Sequence, residues 1–132
     1  MPSRSINDLH PALAYAWGKA QAKWALLHPE LPQPFLTCTY RSNEEQDGLF
    51  KQKPKVTNAR AGESPHNYQP SLAFDIAFLM KTGVVIYTDK WFDQFAPYLL
   101  ETKGITWGGN FKSIMDRPHF ELTDWKKLIP KK

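Results

Sequence analysis

Only four histidines occur in the 132 residues of the chain, so imidazole chemistry is confined to His10, His28, His66 and His119. His10 falls at a predicted helix start and His28 at that helix's end, where a cation meets the carbonyl dipole. Both therefore have structural explanations. His66 and His119 do not. The first lies in the polar stretch Ser64-Pro65-His66-Asn67-Tyr68, leading into a predicted strand. The second lies in Asp116-Arg117-Pro118-His119-Phe120, at the mouth of another.

Asp75 belongs with them. It interrupts the apolar run Leu72-Ala73-Phe74-Asp75-Ile76-Ala77-Phe78, where a carboxylate is expensive to bury unless a cation or several donors compensate it. Strand alternation puts Ala73, Asp75 and Ala77 on one face and Leu72, Phe74, Ile76 and Phe78 on the other. The flanking alanines are expected to leave open space, which a metal ion with two imidazole ligands would fill. Zinc accepts such a set: His66, Asp75 and His119 make three ligands, with water in the fourth position. That open position goes with hydrolysis rather than scaffolding. Asp116, three residues before His119, is placed to act as general base. On physical grounds alone a plainer reading stays open, in which Asp75 pairs with a basic residue and the two histidines are ordinary loop and strand-end residues.

The elements that must position these groups follow from periodicity. From about Asn7 to Leu27 the pattern is helical, with Asn7 or Asp8 as cap and Pro11 in the first turn. Leu9, Leu13, Ala16, Trp17, Ala20, Trp24 and Leu27 form its apolar stripe. Three prolines in His28–Pro34 end it. Phe35–Tyr40 reads as a strand, and Ser42 with Glu45 makes a capping box for a second helix running to about Gln52. Lys53–Ser64 is a surface loop. Leu72–Met80 and Val84–Tyr87 read as strands about a turn at Lys81-Thr82-Gly83. Asp89 caps a third helix in which Pro97 predicts a kink or break. Ile105–Trp107 and His119–Leu122 are short strands, and Thr123 caps a final helical turn. Helices and strands mix without a βαβ rhythm, so the fold class is α+β, with a small, mainly antiparallel sheet and flanking helices.

Composition narrows the function classes. The length suits one domain, residues 1–132, with no separate wall-binding domain or repeat. A hydrophobic fraction of 42% supports a packed interior. No apolar run reaches about 18 residues, so no membrane span is expected, and the polar N-terminus does not read as a secretory signal. Cys38 is the single cysteine, which excludes an internal disulfide and a cysteine-based metal cluster. Within Phe35–Thr39 it reads as a small buried hydrophobe. The formal net charge of +4 suits an anionic partner. Part of it sits at Lys126, Lys127, Lys131 and Lys132, which a solvated, frayed terminus explains equally well.

Taken together, Tyr40-Arg41-Ser42, Ser64-Pro65-His66, Ala73-Phe74-Asp75-Ile76, Trp107-Gly108-Gly109 and Asp116-Arg117-Pro118-His119-Phe120-Glu121 resemble the zinc D-Ala-D-Ala carboxypeptidase and L-alanyl-D-glutamate endopeptidase family, whose metal site has the hedgehog architecture. The Trp-Gly-Gly and Asp-Arg-Pro-His-Phe-Glu elements are similar to those of its bacteriophage endolysin subgroup. The resemblance implies zinc ligands at His66, Asp75 and His119, the catalytic base at Asp116, and Arg41 facing substrate or the developing oxyanion. It also implies that Gln46 and Ser64 are polar pocket residues. Trp107 is a further candidate for lining the substrate groove, with core packing as its rival explanation. Glu121, two residues after His119, is placed by alternation to orient that ring. One departure stands out: His66 to Asp75 spans nine residues where the family has seven, which reads as a two-residue insertion before the strand.

The expectation is therefore a zinc-dependent peptidoglycan endopeptidase. It would cleave the L-alanyl-D-glutamate bond of the stem peptide as an endolysin that lyses the host cell. It is expected to be a monomer with no nucleic-acid partner and no stable membrane insertion. It would be held in the host cytoplasm and then act on the wall in the periplasm. A D-Ala-D-Ala carboxypeptidase with the same zinc mechanism is one alternative, and a non-catalytic basic binding module is another.

Overall fold

A computed structural model describes residues 1–130; Lys131 and Lys132, part of the basic tail considered above, lie outside the described residues. Three helices surround a five-stranded sheet in which every pairing is antiparallel, an α+β arrangement. In chain order the elements are α1 (Pro11–Leu27), β1 (Gln33–Cys38), α2 (Asn43–Phe50), β2 (Ala73–Leu79), β3 (Val85–Ile86), α3 (Asp89–Leu100), β4 (Ile105–Trp107) and β5 (His119–Leu122). Strand order is β1-β2-β5-β4, with β3 pairing the far end of β2.

Alternation along β2 divides the molecule into a core side and a site side. Phe74, Ile76 and Phe78 are fully buried against α1 and α3. There Trp17 meets Phe74 edge-on with ring centroids 5.8 Å apart, and Trp24 meets Phe95 at 5.7 Å. Burying aromatics of this size, with edge-to-face geometry, is the main favourable contribution to holding the helices on the sheet. Asp75 points to the opposite side. Ala73 and Ala77 are themselves fully buried, so the open space expected beside them lies in front of Asp75 alone.

Several boundaries differ from the periodicity for identifiable reasons. Helix α1 begins at Pro11, because His10 is the cap: its Nδ1 accepts from the Ala12 amide at 3.1 Å. Asp8 is engaged elsewhere, with its carboxylate accepting from Ser3 and its carbonyl from the Ser71 amide. Leu27, the last residue of the expected stripe, is exposed. Strand β1 starts at Gln33 and includes Pro34, which an edge strand tolerates. Thr88, not Asp89, occupies the cap position of α3. That helix continues through Pro97 to Leu100 without a break. Thr123 does not cap the final turn; its hydroxyl bonds that of Thr106 at 2.6 Å, and the turn Trp125–Lys127 follows Asp124. The capping box at Ser42 and Glu45 is present with both of its bonds.

Glycine positions give a paired prediction. Gly18 lies inside α1 with open space around a would-be Cβ, so Gly18→Ala stabilises the fold by about 0.5–1 kcal/mol through backbone entropy. A Cβ at Gly108 would overlap the Asp116 carbonyl and stand 3.0 Å from the His119 Cβ. Gly108→Ala therefore destabilises by about 1–3 kcal/mol. Denaturant unfolding of the two variants checks the opposite signs.

Candidate metal centre and cleft

The sheet register brings two of the three candidate ligands together. Asp75 on β2 stands directly opposite His119 on β5, and Cys38 on β1 stands opposite Asp75 from the other side. Directly opposed residues on one face carry their side chains side by side. The result is a 3.0 Å approach between Asp75 Oδ1 and His119 Nδ1. A register irregularity between Leu36 and Cys38, with Thr37 unpaired, sets Cys38 into this row.

His66 arrives from outside the sheet, on the 3₁₀ turn Pro65–Asn67. Ser64 caps that turn, its Oγ accepting from the His66 amide at 3.2 Å, while the Asn67 side chain accepts from the Ser64 and Gly62 amides. The interval between His66 and Asp75 is held by hydrogen bonds from Ser71 and Leu72. The Leu72 amide returns to the Pro65 carbonyl at 3.0 Å. Ser71 Oγ lies 2.6 Å from the Thr39 carbonyl and 2.7 Å from that of Ala73, and its backbone bridges Asp8 and His10. Across this nine-residue interval His66 Nε2 lies 3.2 Å from Asp75 Oδ1.

Hydrogen bonds on the outer side of each ring assign the tautomers. His66 Nδ1 donates to the Thr39 carbonyl at 2.8 Å, and His119 Nε2 donates to Glu121 Oε1 at 2.7 Å. With those protons outward, the lone pairs of His66 Nε2 and His119 Nδ1 face Asp75 Oδ1 and lie 3.3 Å from each other. Two neutral imidazole nitrogens and a carboxylate oxygen converging on one point are the donor set of a divalent cation, and they suit zinc.

Without a metal ion, protons take its place between the two rings and Asp75. Burial lowers the basicity of His66, but the charge and hydrogen bond of Asp75, with Cys38 assisting, outweigh it and push the pKa up to about 10. Burial opposes His119 likewise, and its bonds to Asp75 and Glu121 push it up to about 9. Asp75, despite burial, is held well below the usual carboxylate range by the two rings. Asp116 shifts the other way: burial first, then the charge of Asp75, raise its pKa against the pull of His119, His66 and Arg41.

Asp116 offers a carboxylate oxygen within 4.8 Å of ligand atoms on both Asp75 and His119. Its backbone is fixed by its amide bond to Gly108 at 2.9 Å and by accepting from the His119 amide at 3.1 Å. The close approach at Gly108 gives the Trp-Gly-Gly element a physical reason. All four groups line one cavity of about 550 Å³. Val56 and Ala59 of the loop after α2 and Phe111 and Ile114 after β4 also line it.

Arg41 also lines this cavity, and its side chain is only 13% exposed, so it is no surface partner of Glu44 and Glu45. Its Nη2 lies 3.4 Å from Asp75 Oδ2, and its Nη1 donates to Gln46 Oε1 at 2.9 Å. Ser64 lines the cavity, and its Oγ is engaged as the turn cap that accepts from the His66 amide. Two residues expected to meet substrate stand elsewhere. Gln46 is fully buried behind Arg41, its amide nitrogen donating to the Ala59 carbonyl, so both ends are occupied and it braces Arg41 to the loop. Trp107 stacks on Phe120 and donates to the Arg117 carbonyl, the core-packing alternative. Cys38 is buried, as its reading as a small hydrophobe expects, and its thiol also lies 3.5 Å from Arg41 Nη2 and 3.6 Å from His66 Nδ1. Sequence reasoning missed Lys126, which lines the cavity. Only strand pairing reveals the contacts of Cys38, and only the return of the chain after β5 reveals the place of Lys126.

Comparison with known proteins agrees with this geometry. Residues 57–122 match the family described as D-alanyl-D-alanine carboxypeptidase. The peptidoglycan L-alanyl-D-glutamate endopeptidase CwlK of Bacillus subtilis (strain 168) is 34% identical over 131 residues, covering 88% of this chain and 74% of that protein. The L-Ala D-Glu endopeptidase ChiX of Serratia marcescens has the same fold, with a TM-score of 0.69 over 96% of this chain and 92% of that one at 23% identity. The vancomycin-resistance D,D-pentapeptidase VanY from the VanB-type cassette, solved with Zn(II), aligns with a TM-score of 0.59 over 89% and 74% of the two chains at 14% identity. The chain therefore belongs to the D-alanyl-D-alanine carboxypeptidase family and is a zinc metallopeptidase.

Proposed function

We propose that this chain is a peptidoglycan endopeptidase that hydrolyses the L-alanyl-D-glutamate bond of the stem peptide. The observation that carries the proposal is the convergence of His66 Nε2, Asp75 Oδ1 and His119 Nδ1 within 3.3 Å of one another, beside Asp116, in a cavity of about 550 Å³. The choice of bond is supported by the 34% identical relative, itself an L-alanyl-D-glutamate endopeptidase.

His66, Asp75 and His119 would hold the zinc ion, which when bound supplies Lewis-acid polarisation of the scissile carbonyl and a water of lowered pKa. Asp116 takes the proton of the attacking water and passes it to the leaving amine; its raised pKa brings it closer to the pH at which such a shuttle works. Arg41 keeps a fixed positive charge on the cavity wall, close to where the oxyanion develops. Gln46 and the loop carbonyl behind it hold that guanidinium in place. Lys126 adds a second cation to the wall, complementary to the acidic stem peptide.

The wider role proposed is that of a bacteriophage endolysin, acting as a monomer. It would accumulate in the host cytoplasm and reach the wall through the periplasm to lyse the host. The Trp107-Gly108-Gly109 and Asp116–Glu121 elements support that placement, and the net charge of +4 favours approach to anionic envelope polymers. Digestion of purified peptidoglycan followed by mass spectrometry tests the bond. New D-glutamate amino termini are expected, and release of D-alanine alone would instead make the chain a carboxypeptidase.

Two further outcomes are expected. Asp116→Ala retains zinc while its kcat falls by about 10²–10⁴-fold, whereas His119→Ala loses both metal and activity. Metal analysis beside the digestion assay measures both, and full activity of Asp116→Ala would remove it as the base. The second concerns pH. In chelator-treated protein His66 and His119 have pKa values raised to about 10 and about 9. Their contribution to stability is therefore complete below an unfolded value of about 6.5 and disappears as pH rises through the folded values. Zinc has to displace those protons, so it binds more tightly over the same interval. The Tm gap between zinc-loaded and chelator-treated protein thus widens from about pH 6 to about pH 9, and a narrowing gap would contradict the assignment.

A further inference from the structure

His119 meets the cluster through Nδ1, so the partner of its outer nitrogen decides how the ring is held. That partner is Glu121 Oε1 at 2.7 Å. The other carboxylate oxygen of Glu121 is itself engaged, accepting from the indole Nε1 of buried Trp125 at 3.1 Å. Glu121 is 14% exposed at its side chain, and among the described residues its ionic partner is His119, with no lysine or arginine within bridging distance. A carboxylate so far withdrawn from water is costly without compensation. Here the compensation is an imidazole N–H on one oxygen and an indole N–H on the other. His66 is supported differently, by the neutral backbone carbonyl of Thr39.

We propose that Glu121 and Trp125 form an outer brace that fixes the tautomer and orientation of His119, making the turn Trp125–Lys127 a working part of the metal centre. This rests on the reading of His119 as a zinc ligand. Trp125 lies beyond the residues 57–122 that match the family. Both members act through His119 and are positioning residues. The brace does two things. It locks the proton on Nε2, leaving the Nδ1 lone pair free, and it places a negative charge behind the ring, which strengthens that nitrogen as a donor.

Competition against a chromogenic chelator, with the full chain, measures the zinc dissociation constant of Glu121→Ala, Glu121→Gln and Trp125→Phe. Glu121→Ala is expected to weaken zinc binding about 10–100-fold. Glu121→Gln retains an acceptor oxygen and loses the charge, so its loss is smaller. Trp125→Phe preserves most of the ring and removes only the N–H, with a several-fold loss expected. In the cobalt-substituted protein the visible bands should shift in Glu121→Ala and Trp125→Phe. Trp24→Phe is the control: it deletes an indole bond to the Pro32 carbonyl in the core, remote from the cluster, and should leave zinc affinity unchanged. If Glu121→Ala fails to fold, the glutamine and phenylalanine variants carry the test. Wild-type zinc affinity and an unshifted cobalt spectrum in the Glu121 and Trp125 variants would overturn the brace, as would equal losses in Trp125→Phe and Trp24→Phe. Retention of wild-type affinity by His119→Ala is a separate failure, which removes the ligand assignment and the brace with it.

Discussion

Two imidazole nitrogens and a carboxylate oxygen held within 3.3 Å of one another repel unless positive charge lies among them. A chain that spends backbone and side-chain contacts on enforcing such a meeting needs a cation to make it favourable. Protons supply that charge in part, which is why both rings are more basic than ordinary histidine. A divalent ion supplies it with geometry as well, because each ring already directs its N–H outward to an acceptor.

Much of the remaining architecture serves that meeting. The pairing of β2 with β5 opposes Asp75 and His119 directly, and aromatic packing of Phe74 and Phe120 on the reverse face fixes the register, with ring centroids 5.5 Å apart. A one-residue slip of β5 would turn His119 away from Asp75 and toward the core. The Thr39 carbonyl, which orients His66, is steadied from the N-terminus: the Thr39 amide donates to the Ser3 carbonyl and the Ser3 amide to that of Tyr40. Gly108 lets the chain bearing Asp116 come close enough to stand beside the ligands. Outlying segments at both ends of the chain are thus coupled to one small cluster.

How much of this was legible in the sequence depended on whether the signal was local. The Ser42–Glu45 capping box, the strand around Asp75 and the short strands Ile105–Trp107 and His119–Leu122 are encoded within a few residues, and the structure contains each of them. Asp75 stood out because a carboxylate in an apolar strand demands compensation. The misplaced start of α1 came from competition: Asn7 and Asp8 are good caps, yet Asp8 is engaged with Ser3 and Ser71, and His10 takes the role. Gln46 and Trp107 carry polar handles suited to a substrate, and tertiary partners occupy those handles instead. Cys38 approaches His66 and Arg41 only through sheet pairing across long sequence separations, which no local pattern records. The His66–Asp75 interval was readable as an insertion, but its harmlessness depends on the bonds that Ser71 and Leu72 make back to Thr39, Asp8 and Pro65.

His66, Asp75 and His119 are assigned to one shared ion. Anomalous diffraction at the zinc edge, from crystals of the zinc-loaded protein, addresses this most directly. A single strong peak is expected at about 2.0–2.2 Å from His66 Nε2, Asp75 Oδ1 and His119 Nδ1. A peak seated on Cys38 or elsewhere, with Asp75 Oδ1 still hydrogen-bonded to both rings, would remove that assignment.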